Sequence, residues 1–253
     1  MNNLEINNLN YNNLFQDLSL DIDKNCFITI SGPNNCGKTT LLRIISNEIE
    51  TKKTITINNK YLEDYKLEDY QSLIQVVIKK EYINQEKTLK EEIEYIDCDE
   101  SYKKNIIKEL NTKSLLKKEF NNMTNKELVM SQLLIALIKR PKILLLDDIG
   151  YYLNNDEKEK VFNFLNTYKE NSIIINTTIN LEDSLYSDYL YIINDKKIAL
   201  EGLPIQVLEK DNVINKIGLK LPFMIDLSVK LRDYNLVEDI ELDKDRMVET
   251  LWK

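Results

Sequence analysis

Apolar positions along this chain fall into short runs separated by polar, asparagine-rich turns, and the period within each run predicts its conformation. Residues 4–9 and 15–22 alternate apolar and polar, as half-buried strands do, around a turn at residues 10–13. Residues 26–30 (CFITI) form a continuous β-branched and aromatic run that predicts a buried strand. Residues 53–57 before Asn58 and Asn59 predict a hairpin, residues 61–69 a loop or short helix, and residues 73–78 (LIQVVI) another buried strand. From 79 to 130 the chain is charged and helix-friendly, with a helix start over 88–96 and a period near 3.6 over 102–110 and 114–120. It is expected to be a helical insert with solvated faces. Thr124 and Glu127 match a capping box ahead of an apolar helix carrying Leu128, Leu133, Leu134 and Leu137. Residues 143–146 (ILLL) and 172–177 predict buried strands, 161–168 an amphipathic helix, and 189–193 with 197–200 a hairpin. Strands thus alternate with helices around a mostly parallel sheet, the α/β class. Residues 211–253 read as a helical, acidic extension broken at Leu221 and Pro222, with the only tryptophan, Trp252, expected to anchor it by packing.

Composition narrows the chemistry. The 253 residues suffice for one large or two small domains, and a net charge of −8 argues against non-specific nucleic-acid binding. The absence of histidine excludes imidazole metal sites and imidazole acid–base chemistry. The 3 cysteines, Cys26, Cys36 and Cys98, show neither disulfide nor zinc spacing. Residues 1–6 lack the basic and apolar segments of a signal peptide. The longest apolar runs, 133–138 and 143–146, are too short to span a bilayer, so a membrane role is expected only through partners.

The sharpest signal is Gly32-Pro33-Asn34-Asn35-Cys36-Gly37-Lys38-Thr39-Thr40. It fits the pattern Gly, four residues, Gly-Lys-Ser/Thr, between the strand over 26–30 and a helix starting near Lys38. Glycines at these places let backbone N–H groups turn inward around an anion. Lys38 brings a charge to the β- and γ-phosphates of a nucleoside triphosphate, and the Thr39 hydroxyl is suited to Mg²⁺. The helix, with Leu41, Leu42 and Ile45 inward, directs the positive end of its dipole at the same phosphates. The strand over 143–146 runs into Asp147 and Asp148, where such proteins carry their metal-side carboxylate. Asp147 is the candidate for the metal shell and Asp148 for the attacking water. Tyr11 reads either as an ordinary turn tyrosine or as a residue stacking on a base.

Together these motifs resemble ATP-binding cassette (ABC) ATPases. Residues 199–204 (ALEGLP), 218–223 (GLKLPF) and Leu251-Trp252 are similar to the ATPase subunits of energy-coupling factor importers. The resemblance implies a P-loop cassette over residues 1–210, with an antiparallel β subdomain and a helical subdomain over about 79–140. It also implies a C-terminal helical extension over 211–253 that serves in dimerisation. It implies ATP and Mg²⁺ as ligands, and a head-to-tail pairing with a second ABC ATPase subunit, giving a heterodimer. A transmembrane coupling subunit would hold the pair on the cytoplasmic side of the cell membrane. Tyr11 falls where the family stacks an aromatic on adenine.

Departures from the family pattern accompany the resemblance. The Leu-Ser-Gly-Gly-Gln signature falls on residues 123–127, Met-Thr-Asn-Lys-Glu, where both glycines are missing and Glu127 places a negative charge, with Lys126 as a compensating cation. The catalytic glutamate falls on Asp148, the switch histidine on Ile179 and the loop aspartate on Asn154. The lid glutamine falls on Ile78, with Gln75 and Gln85 out of register. The groups that bind a nucleotide are present, and several that speed its hydrolysis are not.

Overall fold

The computed structural model describes residues 2–78 and 86–252. Strands β1 (Leu4–Tyr11) and β2 (Phe15–Ile22) open the chain and lead to β3 (Phe27–Ser31), which feeds helix α1 (Lys38–Ile45). Next come β4 (Ile55–Ile57), β5 (Lys60–Tyr61), α2 (Leu67–Leu73) and β6 (Ile74–Val77). Helices α3 (Leu89–Glu94), α4 (Glu100–Glu109) and α5 (Asn125–Ile138) precede β7 (Ile143–Asp147). Then α6 (Asn155–Tyr168), β8 (Ile173–Thr178), β9 (Tyr189–Asn194) and β10 (Lys197–Gly202) complete the strands. Helices α7 (Pro204–Leu208), α8 (Asp211–Ile217), α9 (Phe223–Asp233) and α10 (Lys244–Leu251) close the chain.

Two sheets follow from the two apolar periods. The main sheet has six strands in the order β10-β9-β3-β8-β7-β6, parallel except for β10. Its central strands are covered on both faces, so β3 is buried along its whole length and β7 at every residue but Asp147. The alternating strands β1 and β2 form instead a four-stranded antiparallel sheet in the order β2-β1-β4-β5. Between the two sheets lies α1, which buries Leu41, Leu42, Ile44 and Ile45. This sandwich fixes the start of α1, and with it the loop over residues 32–37, at the carboxyl end of β3. Ligand sites of open α/β sheets sit at that end.

The opposite face of the main sheet is covered by α5 and α6. Nearly every residue of α5 from Val129 to Ile138 is buried, as expected of a helix apolar all round. The helix start expected over 88–96 becomes α3 and the helical period over 102–110 becomes α4, but that over 114–120 does not become an α-helix. Backbone bonds from Leu89 to Lys118, from Lys90 to Leu116 and from Phe120 to Lys87 draw this stretch back across the start of α3. Those pairings use the amides and carbonyls that a helix would need.

Past residue 210 the chain continues to pack on the same body. Ile214, Leu219, Ile225 and Val229 share a buried cluster with Leu190 and Ile192 of β9. The expectation for Trp252 fails: it is 85% exposed, because α10 buries only Met247 and leaves Val248 and Leu251 outside as well.

Candidate functional site

Strand β3 ends at Ser31, and the chain then wraps back on itself before α1 begins. Steric limits explain the two glycines. A Cβ on Gly32 would stand 2.4 Å from the carbonyl oxygen of Ile193 and 2.7 Å from Cys36 Sγ. Gly37 has φ +102, and a Cβ there would meet the Phe15 ring at 2.6 Å. Asn35, between them, takes the left-handed region at φ 63, which asparagine tolerates better than most residues.

The charged groups converge above this loop. Lys38 Nζ donates to the carbonyls of Gly32 (2.7 Å) and Pro33 (3.0 Å), so its ammonium rests on the loop it belongs to. Thr39 Oγ1 donates to the Asp147 carboxylate at 2.9 Å, although the two residues are 108 positions apart. Thr177 at the end of β8 donates to Asp147 Oδ1 at 2.7 Å. Asp148 follows in the left-handed region at φ 52, with its N–H donating to the Thr177 carbonyl at 2.8 Å. Burial pushes the Asp148 carboxyl above its usual range. The Thr178 hydroxyl, 3.0 Å from Oδ1, opposes that shift, and the charges of Asp183 and Asp147 add to it. Thr178 Oγ1 also lies 3.0 Å from Asp183, whose other oxygen receives Lys158 Nζ at 2.7 Å.

These groups line a cleft of about 670 Å³. Of the loop residues expected to bind, Asn34, Asn35, Gly37, Lys38, Thr39 and Thr40 line it together with Asp147 and Asp148. Gly32, Pro33 and Cys36 are not among the lining residues. Tyr11 is not among the lining residues. It ends β1, half-buried against the core between the sheets, and Leu14 from the following turn lines the cleft instead. Ile78 and Ile179 both line the cleft, so apolar side chains occupy the places that the resemblance gives to the lid glutamine and the switch histidine. Gln75 donates to backbone carbonyls of Gln71 and Ile74, and Gln85 lies outside the described residues.

Sequence reasoning missed Thr177, Thr178, Lys158 and Asp183. A strand ending in two threonines was visible, but its alignment beside Asp147 and Asp148 needs the register of β7 against β8. The capping box expected from Thr124 and Glu127 is made, but its counter-ion, Lys118, was not expected. Glu127 accepts from Thr124 N–H (2.8 Å) and from Lys118 Nζ (2.7 Å), and that lysine is the largest cause holding its carboxyl below the usual range. Lys126 is bonded to Glu157 at 2.8 Å. The charge on Glu127 is therefore neutralised by Lys118 and not by Lys126. Asn154 caps α6 through Glu157 N–H.

The donor set also indicates which cation would fit. Among the described residues no group of three or more carboxylates, thiols or imidazoles could hold a metal. A hydroxyl beside one carboxylate suits an ion that keeps waters and takes phosphate oxygens, which is the habit of Mg²⁺.

A family model described as ABC transporter matches residues 15–149, more than half of the chain and the whole span from β2 to the carboxylates after β7. The chain belongs to the ABC transporter family. Among its relatives, the energy-coupling factor transporter ATP-binding protein EcfA of Pediococcus pentosaceus is 23% identical, with 97% of this chain and 95% of that protein covered. The energy-coupling factor transporter ATP-binding protein EcfA1 of Mycoplasmopsis pulmonis is 22% identical, with 96% and 94% covered. Among solved structures, cbiO1 from Clostridium perfringens, part of the ABC transporter complex cbiONQ, superposes with a TM-score of 0.67 at 21% identity. That match covers 89% of this chain and 98% of that one. A nucleotide-free ATP-binding cassette from an ABC transporter gives 0.71 at 20% identity, covering 87% and 100%. The ABC fold expected from the motifs is thus the fold found. Among the described residues no helix of this ABC family member is long and apolar enough to cross a membrane.

Proposed function

We infer that this chain is the ATP-binding subunit of an energy-coupling factor-type importer, held at the cytoplasmic face of the membrane by a transmembrane coupling subunit. The observation that carries this reading is the Thr39–Asp147 contact beside Lys38, in a cleft whose floor is the start of α1. Residues 32–40 would hold the phosphates, with Lys38 leaving the Gly32 and Pro33 carbonyls for them. Thr39 and Asp147 would hold Mg²⁺, which when bound neutralises phosphate charge. Residues 1–210 act as the cassette and 211–253 as an extension that supports dimerisation. Apolar Ile78 and Ile179, with the shorter Asp148, favour slow turnover in this chain. They also favour a heterodimer in which a second ABC ATPase subunit supplies the faster site. The same three residues support a second reading, a nucleotide-binding subunit that regulates or scaffolds without turnover. Titration calorimetry with Mg²⁺–ATP tests the shared core: Lys38→Ala is expected to weaken binding roughly 10- to 100-fold. Equal affinity in wild type and variant overturns it. Phosphate release by the purified chain separates the two readings, slow turnover supporting the first and none the second.

A further inference from the structure

Behind the two carboxylates after β7 lies a polar cluster that no motif announces. Thr178 ends β8, which runs beside β7 with Thr177 opposite Asp147, so Thr178 stands next to Asp148. It is fully buried, and its hydroxyl lies 3.0 Å from Asp148 Oδ1 and 3.0 Å from Asp183 Oδ2. The same oxygen accepts the Asn180 N–H at 3.0 Å. A hydroxyl carries one hydrogen, so Thr178 can give a full bond to one carboxylate at a time. Asp183 is 1% exposed, and its other oxygen receives Lys158 Nζ of α6 at 2.7 Å. That lysine takes up the charge of Asp183 and leaves Asp148 as the stronger acceptor.

Stability does not account for this cluster. A buried ion pair adds little net stability, because both charges give up water. One of the 5 glycines is committed to it as well: a Cβ on Gly150 would stand 2.6 Å from Asp183 Oδ2. Gly150 is not among the glycines with positive φ, so it supplies room for Asp183 and not backbone freedom. The residue served is Asp148, which lines the cleft in the left-handed region at φ 52. Its N–H is held by the Thr177 carbonyl at 2.8 Å and its carboxylate by Thr178, so backbone and side chain are both fixed. Ile179 lines the cleft too, but its side chain offers no hydrogen bond. A carboxylate that directs a water contributes only while it points at that water.

We propose that Thr178 is the positioning residue of Asp148, held in place by the Asp183–Lys158 pair so that its hydroxyl fixes the carboxylate toward the attacking water. The proposal rests on the turnover reading and names the residues on which that turnover depends. The experiment measures phosphate release from Mg²⁺–ATP by the full chain, with ATP affinity by calorimetry in parallel. It compares wild type, Thr178→Val, Thr178→Ser, Asp148→Asn and the double variant Thr178→Val with Asp148→Asn. Thr178→Val is expected to lower kcat roughly 10- to 100-fold, with ATP affinity within about twofold. Thr178→Ser keeps the hydroxyl and should recover most of that loss. In the double variant Thr178→Val should add nothing to Asp148→Asn, since the residue it positions is already disabled. A merely structural threonine would lower turnover as much in either background. Melting curves show which variants are folded, and Thr178→Ala, which adds no branch beside the carboxylates, replaces Thr178→Val if that variant is not. A wild type that turns over, with Thr178→Val leaving kcat unchanged, weakening ATP binding equally, or acting in full on top of Asp148→Asn, overturns this inference alone. A wild type that releases no phosphate, or an Asp148→Asn that leaves release unchanged, overturns the turnover reading of Asp148 and this inference with it.

Discussion

Two helices of this chain, α1 and α5, are built in opposite ways at their N-termini. Helix α1 has Gly37 at its N-cap, no side-chain cap and no acidic residue in its first turn. Its first N–H groups have no side chain of their own to bond and are turned to the cleft. Helix α5 has Thr124 at its N-cap and Glu127 at the third position, with both halves of the capping box made. There the carboxylate of Glu127 takes the place that an external anion would take, and Lys118 balances its charge. The first end is open to a ligand; the second is stabilised for its own sake. The difference teaches that a helix dipole alone does not make an anion site. The site depends on whether the sequence leaves the terminal donors unused.

The most severe test of that contrast moves the α5 device onto α1. Thr40 is the third residue of α1, so Thr40→Glu places a carboxylate where Glu127 stands on α5. ATP affinity is expected to fall by at least roughly a hundredfold, since like charges brought together cost several kcal/mol. The fold should be retained, and calorimetry with a parallel melting curve checks both. Unchanged affinity would show that the end of α1 does not receive phosphate. A smaller effect is expected from Asp147→Asn, which leaves the loop intact and weakens the cation partner of Thr39. The gain in ATP affinity on adding Mg²⁺ should shrink roughly tenfold, as titrations with and without the metal will reveal.

On the α5 side the expected losses concern stability alone. Thr124→Ala removes the N-cap and should cost about 1 kcal/mol, a fall of about 2–4 °C in melting temperature, with nucleotide affinity unchanged. A drop in affinity of this chain for ATP would place the α5 end in its own cleft. The smallest effect belongs to Glu127→Gln. Lys118 and the Thr124 N–H hold the Glu127 carboxyl below its usual range, so its contribution is complete above the ordinary glutamate value of about 4.3. It is lost as pH falls through the lowered folded value. Wild type should therefore melt above the variant near neutrality, by less than about 1 kcal/mol, and the gap should close in acid below about pH 4. A gap that persists there would assign the difference to something other than the carboxylate charge.

The elements legible in the sequence are those specified by neighbouring residues. The loop over 32–37 and α1 follow from glycines, a lysine and apolar spacing within fifteen residues, and β7 from four apolar residues before Asp147. What lay hidden depends on residues distant in the chain. Lys158 meets Asp183 across 25 positions, and Thr177 meets Asp147 across 30. Glu127 was readable as a cap, but Lys118 as its counter-ion was not, because the path from 118 to 127 is not helical and no fixed spacing relates them. Trp252 was misread for a related reason. Size and apolarity favour burial, but burial also requires a surface to pack on, and of α10 only Met247 is buried.

The resting place of Lys38 bears on how fast and at what entropic cost a ligand can arrive. Bonded to the Gly32 and Pro33 carbonyls, the ammonium ties the two ends of its own loop together. Flexible loops lose conformational freedom when a ligand orders them, and that loss subtracts from affinity. Here the loop carries its own internal cross-link. Binding should therefore resemble a lysine changing partners on a standing scaffold, with its heat dominated by exchanged hydrogen bonds and its entropy little burdened by the backbone.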